Sequence, residues 1–501
     1  MNEQIKVIVN GETTLALAGM LLSEIIKAEK PCGGHGRCGK CKVRASGIIS
    51  SPTDDEKKLL SERELADGIR LACLTYAIGD CEIETLGAVR PEQIVADMEL
   101  PKLELKPAFK KYGIAVDIGT TTLAARLYGA NGTAIGDVSC INPQREWGAD
   151  VITRVEASLN GKGRELANAI RGAVNDIIRE LCSRDNINPM DIDGAVITGN
   201  TVMLSLLTEQ SVEPFSHAPF NAERLFGETL TASTLGISIL ASATSIYLPP
   251  CISAFVGADT TCALLATELC KKDTAMLADI GTNGEMAIWH GGKLTVCSTA
   301  AGPAFEGVGI SMGMRGAYGA IDRVCIQNGQ PYAHVIGDTD PIGICGSGLV
   351  DAVACMLDLE IIDSSGYLDE NEFMIKAPVS LTQEDIRMLQ LAKSAICAGL
   401  MTLADSVHLG ASDVDALFVA GGFGSYLNKR SATRIGLLPQ KLAENSRAVG
   451  NAALSGACML LLNTDLRERA ERLADGASTL ELSTNSVFAD LYVSGMMLEK
   501  V

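Results

Sequence analysis

The 501-residue sequence has few aromatic residues and fewer basic than acidic ones. Phe, Trp and Tyr make up 4% of the chain, and 42 Lys and Arg stand against 61 Asp and Glu, which gives a formal net charge of -19. A negative surface repels phosphate backbones and anionic lipids, and scarce aromatics disfavour platforms on which bases stack. We therefore expect neither a nucleic acid nor a membrane as partner.

The sequence also lacks a long apolar run and a leader segment. No run reaches the ~20 apolar residues that a membrane-spanning helix needs, and even the stretch 241–270 is interrupted by Pro249, Pro250 and Asp259. The chain opens with Met-Asn-Glu-Gln-Ile-Lys, which has no basic and apolar leader. These features predict a cytoplasmic protein whose 16 Cys are not a disulfide framework. The length predicts roughly three or four structural units.

Four Cys form a pattern typical of an iron–sulfur site. Five residues separate Cys32 from Cys38, two separate Cys38 from Cys41, and Cys73 follows after a gap long enough to cross a small domain. Glycines between the first three let the backbone point N–H groups at cluster sulfurs, and the spacing resembles the 2Fe-2S ferredoxins of hydroxylase systems. Zinc is disfavoured because no second C-x2-C pair and no His pair is present. His35 is not needed as a ligand, so we expect it to face solvent.

The residues around these thiols predict a small domain at 1–88. Their order is strand, turn, strand, helix, thiol loop, strand, charged helix and closing strand, which is a β-grasp layout. The expected elements are strands at 5–9, 13–17, 41–45 and 81–85 and helices at 21–28 and 54–65. Cys81 reads as a strand residue rather than a ligand. Prolines and scattered charges predict a semi-rigid linker at 89–111, on which a cluster could swing between a donor and an acceptor.

A repeat follows the linker. The first copy reads Tyr-Gly-Ile-Ala-Val-Asp117-Ile-Gly-Thr-Thr-Thr, and the second reads Thr-Ala-Met-Leu-Ala-Asp279-Ile-Gly-Thr-Asn-Gly. Each copy predicts a strand, an Asp-Ile-Gly-Thr turn, and two more strands joined by a Gly turn. A duplicated meander with an acid at the end of each first strand predicts two related lobes that face a cleft. We place these lobes at 112–240 and 241–501.

Turns of this kind can bind a phosphate group. Gly119 and Gly281 let backbone N–H groups approach an anion, and neighbouring side chains add donors. These donors are Thr120, Thr121, Thr122, Thr282 and Asn283. Asp117 and Asp279 would repel bare phosphate, so their presence predicts an intervening Mg²⁺ or a polarised water.

A third Gly-rich element follows the apolar strand expected at 416–420. Gly421, Gly422 and Gly424 suit close packing of a nucleoside against the backbone. The element is not a dinucleotide fingerprint, because Leu427 stands where the third Gly or Ala belongs. The chain has no Walker A pattern either, so the phosphate site is of another kind.

Together these three elements resemble the superfamily of acetate and sugar kinases, heat-shock chaperones and actin. With the thiol domain and linker, the sequence resembles the reductive activators of corrinoid proteins, which couple ATP to the reduction of inactive Co(II) corrinoid to Co(I). Further segments that look like this family are 142–144, 148–154, 199–203, 256–260, 301–307, 343–351 and 450–453. The resemblance implies an α/β protein with an N-terminal β-grasp 2Fe-2S ferredoxin domain, a linker, and a two-lobed actin-like ATPase core with a duplicated ribonuclease H-like fold.

The resemblance also implies cofactors, a partner and site residues. The cofactors are ATP, Mg²⁺ and a 2Fe-2S cluster on Cys32, Cys38, Cys41 and Cys73. The electron acceptor is a corrinoid protein of a methyl-transfer system, while the cellular electron donor and the oligomeric state, a homodimer included, stay open. Catalytic candidates are Asp117 and Asp279, with Glu285 and Glu306 to orient the attacking water. Phosphate contacts fall to Thr120, Thr121, Thr122, Gly281, Thr282 and Asn283, and adenosine contacts to Gly421, Gly422 and Gly424.

Two other functions fit the same residues. One is an ATP-driven electron donor to a different low-potential enzyme, and the other is a non-enzymatic redox sensor whose cluster state gates nucleotide-dependent binding of a partner. The sequence departs from the best-known activators at one point. These carry an extra middle domain before the ATPase core, and the interval from Cys73 to Asp117 is too short for one. We therefore expect this chain to lack that domain.

Overall fold

The computed structural model describes residues 4–26, 36, 39, 41–85 and 100–501. Two of the four predicted cluster ligands, Cys32 and Cys38, lie outside the described residues, as does His35. The segment 86–99, which holds the first part of the predicted linker, lies outside them as well.

The N-terminal region is a mixed sheet with short helices. Its elements are β1 (Gln4–Val9), β2 (Glu12–Leu17), β3 (Met20–Leu21), α1 (Leu22–Ile25), β4 (Lys42–Ile49), α2 (Asp54–Leu59), α3 (Glu62–Ala66), β5 (Ile69–Leu71) and β6 (Tyr76–Thr85). The strand order is β2-β1-β6-β4-β5, with β3 paired to β6 and β1 parallel to β6. Val7 of β1, Val43 of β4 and Ile83 of β6 are buried. This strand arrangement confirms the β-grasp prediction.

Two details of this region differ from the prediction. The charged helix expected at 54–65 is two helices, because buried Leu60 is extended and Ser61 starts α3 by bonding to Glu64. The strand expected to close the sheet at 81–85 is part of β6, which lies between β1 and β4 in the middle of the sheet.

The first lobe is built on the first copy of the repeat. Its elements are β7 (Tyr112–Ile118), β8 (Thr122–Gly129), β9 (Ala134–Ile141), α4 (Val151–Ala157), α5 (Gly163–Arg184), β10 (Ile192–Gly199), α6 (Thr201–Leu207), β11 (Glu228–Thr231), α7 (Ala232–Leu235), β12 (Ser245–Leu248) and α8 (Ala258–Ala266). The strand order is β11-β12-β10-β7-β8-β9. Because β12 lies in this sheet, the first lobe continues past the boundary expected at residue 240.

The second lobe is built on the second copy. Its elements are β13 (Thr274–Ile280), β14 (Gly284–His290), β15 (Lys293–Thr299), β16 (Ala320–Gln327), β17 (Gln330–Val335), β18 (Gly343–Ile344), α9 (Gly346–Asp358), β19 (Glu372–Lys376), β20 (Val379–Thr382), α10 (Gln383–Ser406), β21 (Ala416–Ala420), α11 (Gly421–Gly424), α12 (Lys429–Arg434), α13 (Gln440–Glu444), β22 (Ser446–Ala448), α14 (Ala452–Leu462), α15 (Leu466–Asp475), β23 (Ala477–Thr479) and α16 (Ser486–Ser494). Its main sheet has the order β22-β21-β13-β14-β15-β23, and β16 to β18 form a separate three-stranded sheet.

The two main sheets share one plan. In each, the repeat forms an antiparallel meander, and the first strand of that meander pairs in parallel with a later strand, β10 in one lobe and β21 in the other. This placement confirms the duplication, and it puts Asp117 and Asp279 at equivalent positions near the ends of β7 and β13.

Helix α14 joins the lobes. All of its residues are buried, and it packs against α8 and against the first sheet. Gly456 makes this possible, because a Cβ there would lie 2.0 Å from the carbonyl oxygen of Cys262 in α8. The end of α14 also holds part of the predicted linker, since Lys106 and Ala108 donate N–H bonds to the carbonyls of Leu462 and Leu461. Residues from about 100 onward are therefore packed on the two-lobed core.

Among the described residues, α10 is the one helix long and apolar enough to cross a membrane. Most of its apolar window, 78%, is buried inside the protein. Its burial arises because it packs against the second sheet and against α16, where the carbonyl of Tyr492 accepts a bond from Ser394. A packed core helix explains its composition.

Candidate nucleotide and cluster sites

The first Asp-Ile-Gly-Thr turn is held from several sides. The Gly119 N–H donates to the carbonyl of Thr122 at 3.0 Å, and the Asn142 amide donates to the Gly119 carbonyl at 2.8 Å. Asn200, the N-cap of α6, donates from its side chain to the hydroxyl of Thr120 at 3.1 Å. A main-chain bond within the turn and the side chains of Asn142 and Asn200 thus fix the turn before any ligand binds.

A buried arginine lies under this turn. Arg154 donates to the carbonyl oxygens of Thr120 at 2.5 Å and Gly148 at 3.0 Å. Burial, together with the nearby Arg145, lowers the pKa of Arg154 to about 9. The segment 148–154 was identified only as family-like in sequence, so this positive charge beside the predicted phosphate turn was missed.

The second turn has a similar backbone pattern. The Gly281 N–H donates to the carbonyl of Asn283 at 3.0 Å, and the Gly302 N–H donates to the carbonyl of Thr282 at 2.9 Å. The Gly302 contact ties the turn to the 3₁₀ helix Pro303–Glu306 that follows β15.

Glu306 connects the two turns. Its Oε1 accepts the N–H and the hydroxyl of Thr282, both at 2.9 Å, and its Oε2 accepts the hydroxyl of Thr121 at 2.6 Å. The two turns, which are far apart in sequence, are therefore brought to within one carboxylate of each other. This contact gives the predicted phosphate site its geometry.

Four carboxyls lie close together beside these turns. They are Asp117, Asp259, Asp279 and Glu285; Asp259 raises the pKa of the other three, and Asp279 also raises the pKa of Asp117 and of Glu285. Burial raises the pKa of Asp117 to about 7, although the Asn451 amide, 2.9 Å from its Oδ2, opposes the shift. Burial, with repulsion from Asp259 and Glu306, raises the pKa of Asp279 to about 7.

The other two acids complete the cluster. Asp259 is in the first turn of α8, where its Oδ1 accepts the N–H of Thr260 at 2.7 Å; the N-cap is Gly257. Burial raises the pKa of Asp259 to about 6. Glu285 pairs with Asp279 across the strands, and burial, followed by repulsion from Asp259 and Asp279, raises the pKa of Glu285 well above its ordinary value. Such a cluster favours a bound cation.

The residues present fit a metal held mainly by its nucleotide. Within the described ranges, no three His, Cys, Asp or Glu side chains converge as direct ligands. Mg²⁺ keeps several waters and takes one or two carboxylates plus substrate phosphates, so Asp117 and Asp279 are sufficient from the protein side.

The third Gly-rich element lies next to the acids. Gly421 begins α11 with φ +87°, and a Cβ there would lie 2.9 Å from Asp279 Oδ1, so only Gly fits. Gly422 is exposed and has no atom within 4 Å of its Cβ position, which leaves room for a ligand. Gly424 is buried against Val419 of β21, so its role is packing rather than ligand contact.

Two of the predicted cluster ligands are brought together. The Sγ atoms of Cys41 and Cys73 are 3.1 Å apart and both residues are buried. The Cys73 N–H points at the Cys41 sulfur at 3.5 Å, which is the type of backbone contact that stabilises thiolate ligands. These two thiols fit half of a four-Cys cluster set. Cys81 lies in β6 opposite Gly47 of β4, and burial raises the pKa of its thiol.

A buried ion pair positions Cys73, and sequence reasoning missed it. Glu56 accepts bonds from Arg70 Nε at 3.1 Å, from the Leu71 N–H at 3.0 Å and from the Thr75 hydroxyl at 3.0 Å. Burial pushes the pKa of Glu56 upward, but these bonds, chiefly from Arg70, keep it below its ordinary value. The carboxylate therefore fixes the backbone on both sides of Cys73.

Family models match most of the chain. A model described as the C-terminal domain of RACo, the ASKHA domain, matches residues 273–501, the RACo middle region matches 112–272, and the 2Fe-2S iron-sulfur cluster binding domain matches 2–77. The expectation that a middle domain is missing was wrong in this respect. The middle region is the first lobe itself, which contains Asp117, rather than a domain inserted before it.

Individual relatives agree with these models. Corrinoid activation enzyme RamQ of Eubacterium limosum is 35% identical over 419 residues, covering 77% of this chain and 70% of that protein. A Co(II) methylated amine-specific corrinoid protein reductase of Methanosarcina barkeri is 26% identical over 418 residues, covering 76% of both chains. A solved reductive activator for corrinoid, iron-sulfur protein superposes with a TM-score of 0.72 at 28% identity, covering 99% of this chain and 98% of that one.

Proposed function

Because the chain belongs to the family of reductive activators of corrinoid proteins, we propose that ATP with Mg²⁺ binds between its two Asp-Ile-Gly-Thr turns. The protein is an ATP-dependent enzyme that passes an electron from its 2Fe-2S cluster to a Co(II) corrinoid protein and so regenerates Co(I). The observation that carries the site is the meeting of Thr121 and Thr282, one from each lobe, on a single carboxylate.

The residues of the two turns take separate roles in ATP binding. The hydroxyls of Thr120, Thr121 and Thr282, with the Thr282 N–H, donate to phosphate oxygens, and Arg154 adds a positive charge behind the first turn. Asp117 and Asp279 would hold a hydrated Mg²⁺, which would supply positive charge that neutralises the phosphates. The space above Gly422 takes the adenosine.

Between the two candidates for orienting the attacking water, Glu306 is the better placed. It touches both turns and therefore lies at the phosphate end of the site. Burial, followed by repulsion from Asp259 and Asp279, raises the pKa of Glu285 well above its ordinary value, which disfavours the ionised form that accepts a water proton.

The electron transfer explains why ATP is needed. A ferredoxin cluster supplies one electron at about -400 mV, and each ~59 mV by which the acceptor lies lower costs a factor of ten in equilibrium. We infer that binding of ATP between the two lobes favours a complex in which the cobalt of the corrinoid protein has lost or changed an axial ligand. Hydrolysis at the turns then resets the cleft.

The nucleotide site is tested by calorimetric titration of the anaerobic holoprotein with a nonhydrolysable ATP analogue, with and without Mg²⁺. We expect binding that requires Mg²⁺, because the ionised carboxylates of the acid cluster repel the phosphates without it. Equal affinity in the absence of Mg²⁺ would reject the metal role of Asp117 and Asp279. Absence of nucleotide binding under both conditions would reject the site itself.

Raising the pH from about 5.5 to about 8 is expected to strengthen Mg–ATP binding and to destabilise the nucleotide-free protein. Asp117 and Asp279, with pKa values of about 7, hold protons at the lower pH and ionise at the higher one, where Mg²⁺ replaces the protons. Asp259 and Glu306 face them and add negative charge, and Glu285 faces them as a carboxyl whose pKa is itself raised by burial and by Asp259 and Asp279.

The direction of the stability change follows from comparing the pKa of these carboxyls in the folded and unfolded protein. In the unfolded chain Asp titrates near about 3.9, so the folded protein binds more protons than the unfolded one, and this advantage disappears as the pH rises through 7. Calorimetric affinities and melting temperatures at both pH values check the prediction, with Asp279→Asn expected to show smaller changes. Affinity that does not depend on pH, or a nucleotide-free melting temperature that increases across this range, would contradict it.

A further inference from the structure

The carboxylate of Glu306 occupies an anion site. Its three hydrogen-bond donors are the N–H and hydroxyl of Thr282 and the hydroxyl of Thr121, at 2.6 to 2.9 Å. A main-chain N–H with hydroxyls from two facing turns is the donor set expected to bind a phosphate oxygen. The chain thus fills its own phosphate position with an acidic side chain.

The same contact joins the two lobes. Thr121 follows β7 in the first lobe, and Thr282 follows β13 in the second. Glu306 lies at the end of a single 3₁₀ turn flanked by Gly302 at φ +79° and Gly307 at φ +76°. These left-handed glycines stand at both ends of the turn, where it can swivel relative to β15 and the segment that follows.

We propose that Glu306 is a latch for the terminal phosphate: without nucleotide it holds the two turns together from the phosphate position, and the terminal phosphate of ATP displaces it. The proposal rests on the proposed ATP site. Two anions cannot share these donors, because each would be left with half of its bonds and with the repulsion of the other. ADP, which lacks the terminal phosphate, leaves the latch in place.

The turn that carries Glu306 packs against two other elements of the second lobe. The ring of Phe305, next to Glu306, stacks on Phe423 of the Gly-rich α11 with centroids 4.4 Å apart. The Phe305 carbonyl meets Gly346 at the start of α9, where a Cβ would come within 2.1 Å of that oxygen. Because Phe305 contacts both elements, movement of this turn shifts α9 and α11. Displacement of Glu306 by the terminal phosphate therefore changes the positions of α9 and α11 in the second lobe.

Glu306→Gln is the direct test, because it keeps the size of the side chain and removes its charge. In the holoprotein with Mg²⁺ we expect the dissociation constant of a nonhydrolysable ATP analogue to fall by about tenfold or more. The dissociation constant of ADP should stay unchanged, which serves as the internal control. ATP hydrolysis should slow, because the variant lacks the carboxylate that orients the attacking water.

Hydrogen exchange gives a second readout that does not depend on affinity. The Thr282 N–H bonds to Glu306 in the nucleotide-free protein, so in Glu306→Ala we expect faster exchange of peptides that contain Thr282, with protection restored by the ATP analogue. Weaker or unchanged binding of the ATP analogue by Glu306→Gln, equal changes for ADP, or unchanged Thr282 exchange in Glu306→Ala would overturn the latch. Failure of the unaltered protein to bind any nucleotide would instead reject the proposed ATP site, and the latch with it.

Discussion

Replacing Asp279 with alanine is expected to reduce ATP-dependent reactivation of the corrinoid protein more than about a hundredfold while leaving the absorbance spectrum of the cluster intact. The carboxyl of Asp279 lies at the end of β13, beside Gly421 and among three other acids. In the proposed site, its loss removes one of the two carboxylates that would hold the hydrated Mg²⁺. The fold should tolerate the change, because burial and neighbouring acids make the ionised form of Asp279 unfavourable in the nucleotide-free protein.

Asp273→Ala is the matched control for that variant. Asp273 is exposed and immediately precedes β13. The variant therefore removes one acid at the other end of the same strand. We expect it to retain reactivation. The measurement is the rate of Co(I) formation with reduced protein, ATP and Mg²⁺, followed by absorbance. Full reactivation by Asp279→Ala would reject its role at the phosphate site.

Replacing Cys73 with alanine is expected to abolish cluster binding, and electron transfer with it. Its sulfur lies 3.1 Å from that of Cys41, and Glu56 fixes the backbone on both sides of it. A four-Cys site that loses one thiolate leaves an iron with an open position. Iron content, visible absorbance and EPR of the anaerobically reconstituted protein measure the effect.

Cys81→Ala is the control for this change. Cys81 is as buried as Cys73, at 6% exposure each, but it lies in β6 opposite Gly47, where it packs in the core of the sheet. We expect this variant to keep its iron and its EPR signal. Equal loss of iron from both variants, or full iron content in Cys73→Ala, would contradict the assignment of ligands.

Contiguous patterns predicted most of the fold. The repeated Asp-Ile-Gly-Thr units are local, and the structure places them as duplicate meanders because apolar strands joined by short turns pair as antiparallel neighbours. The β-grasp layout followed in the same way from short strands and the turn between the first two of them. The split of the charged helix could not be predicted, because it depends on burial of Leu60 against distant strands.

The site was only partly predictable because its decisive contacts join distant residues. Asn451 reaches Asp117 across 334 positions, and Thr121 reaches Glu306 across 185. In the sequence, Asp259 stood out only as an interruption of an apolar stretch, and its place in the acid cluster depends on how α8 packs against α14. Residues that act through tertiary packing leave no local periodicity or spacing.

The most direct test of coupling between ATP and electron transfer is anaerobic. The reduced holoprotein is mixed with a Co(II) corrinoid protein, and the Co(II) to Co(I) absorbance change is followed with and without ATP and Mg²⁺. We predict Co(I) formation that depends on ATP and is lost in Asp279→Ala. Co(I) formation to the same extent without ATP, or no ATP-dependent change with any corrinoid protein supplied, would contradict the account.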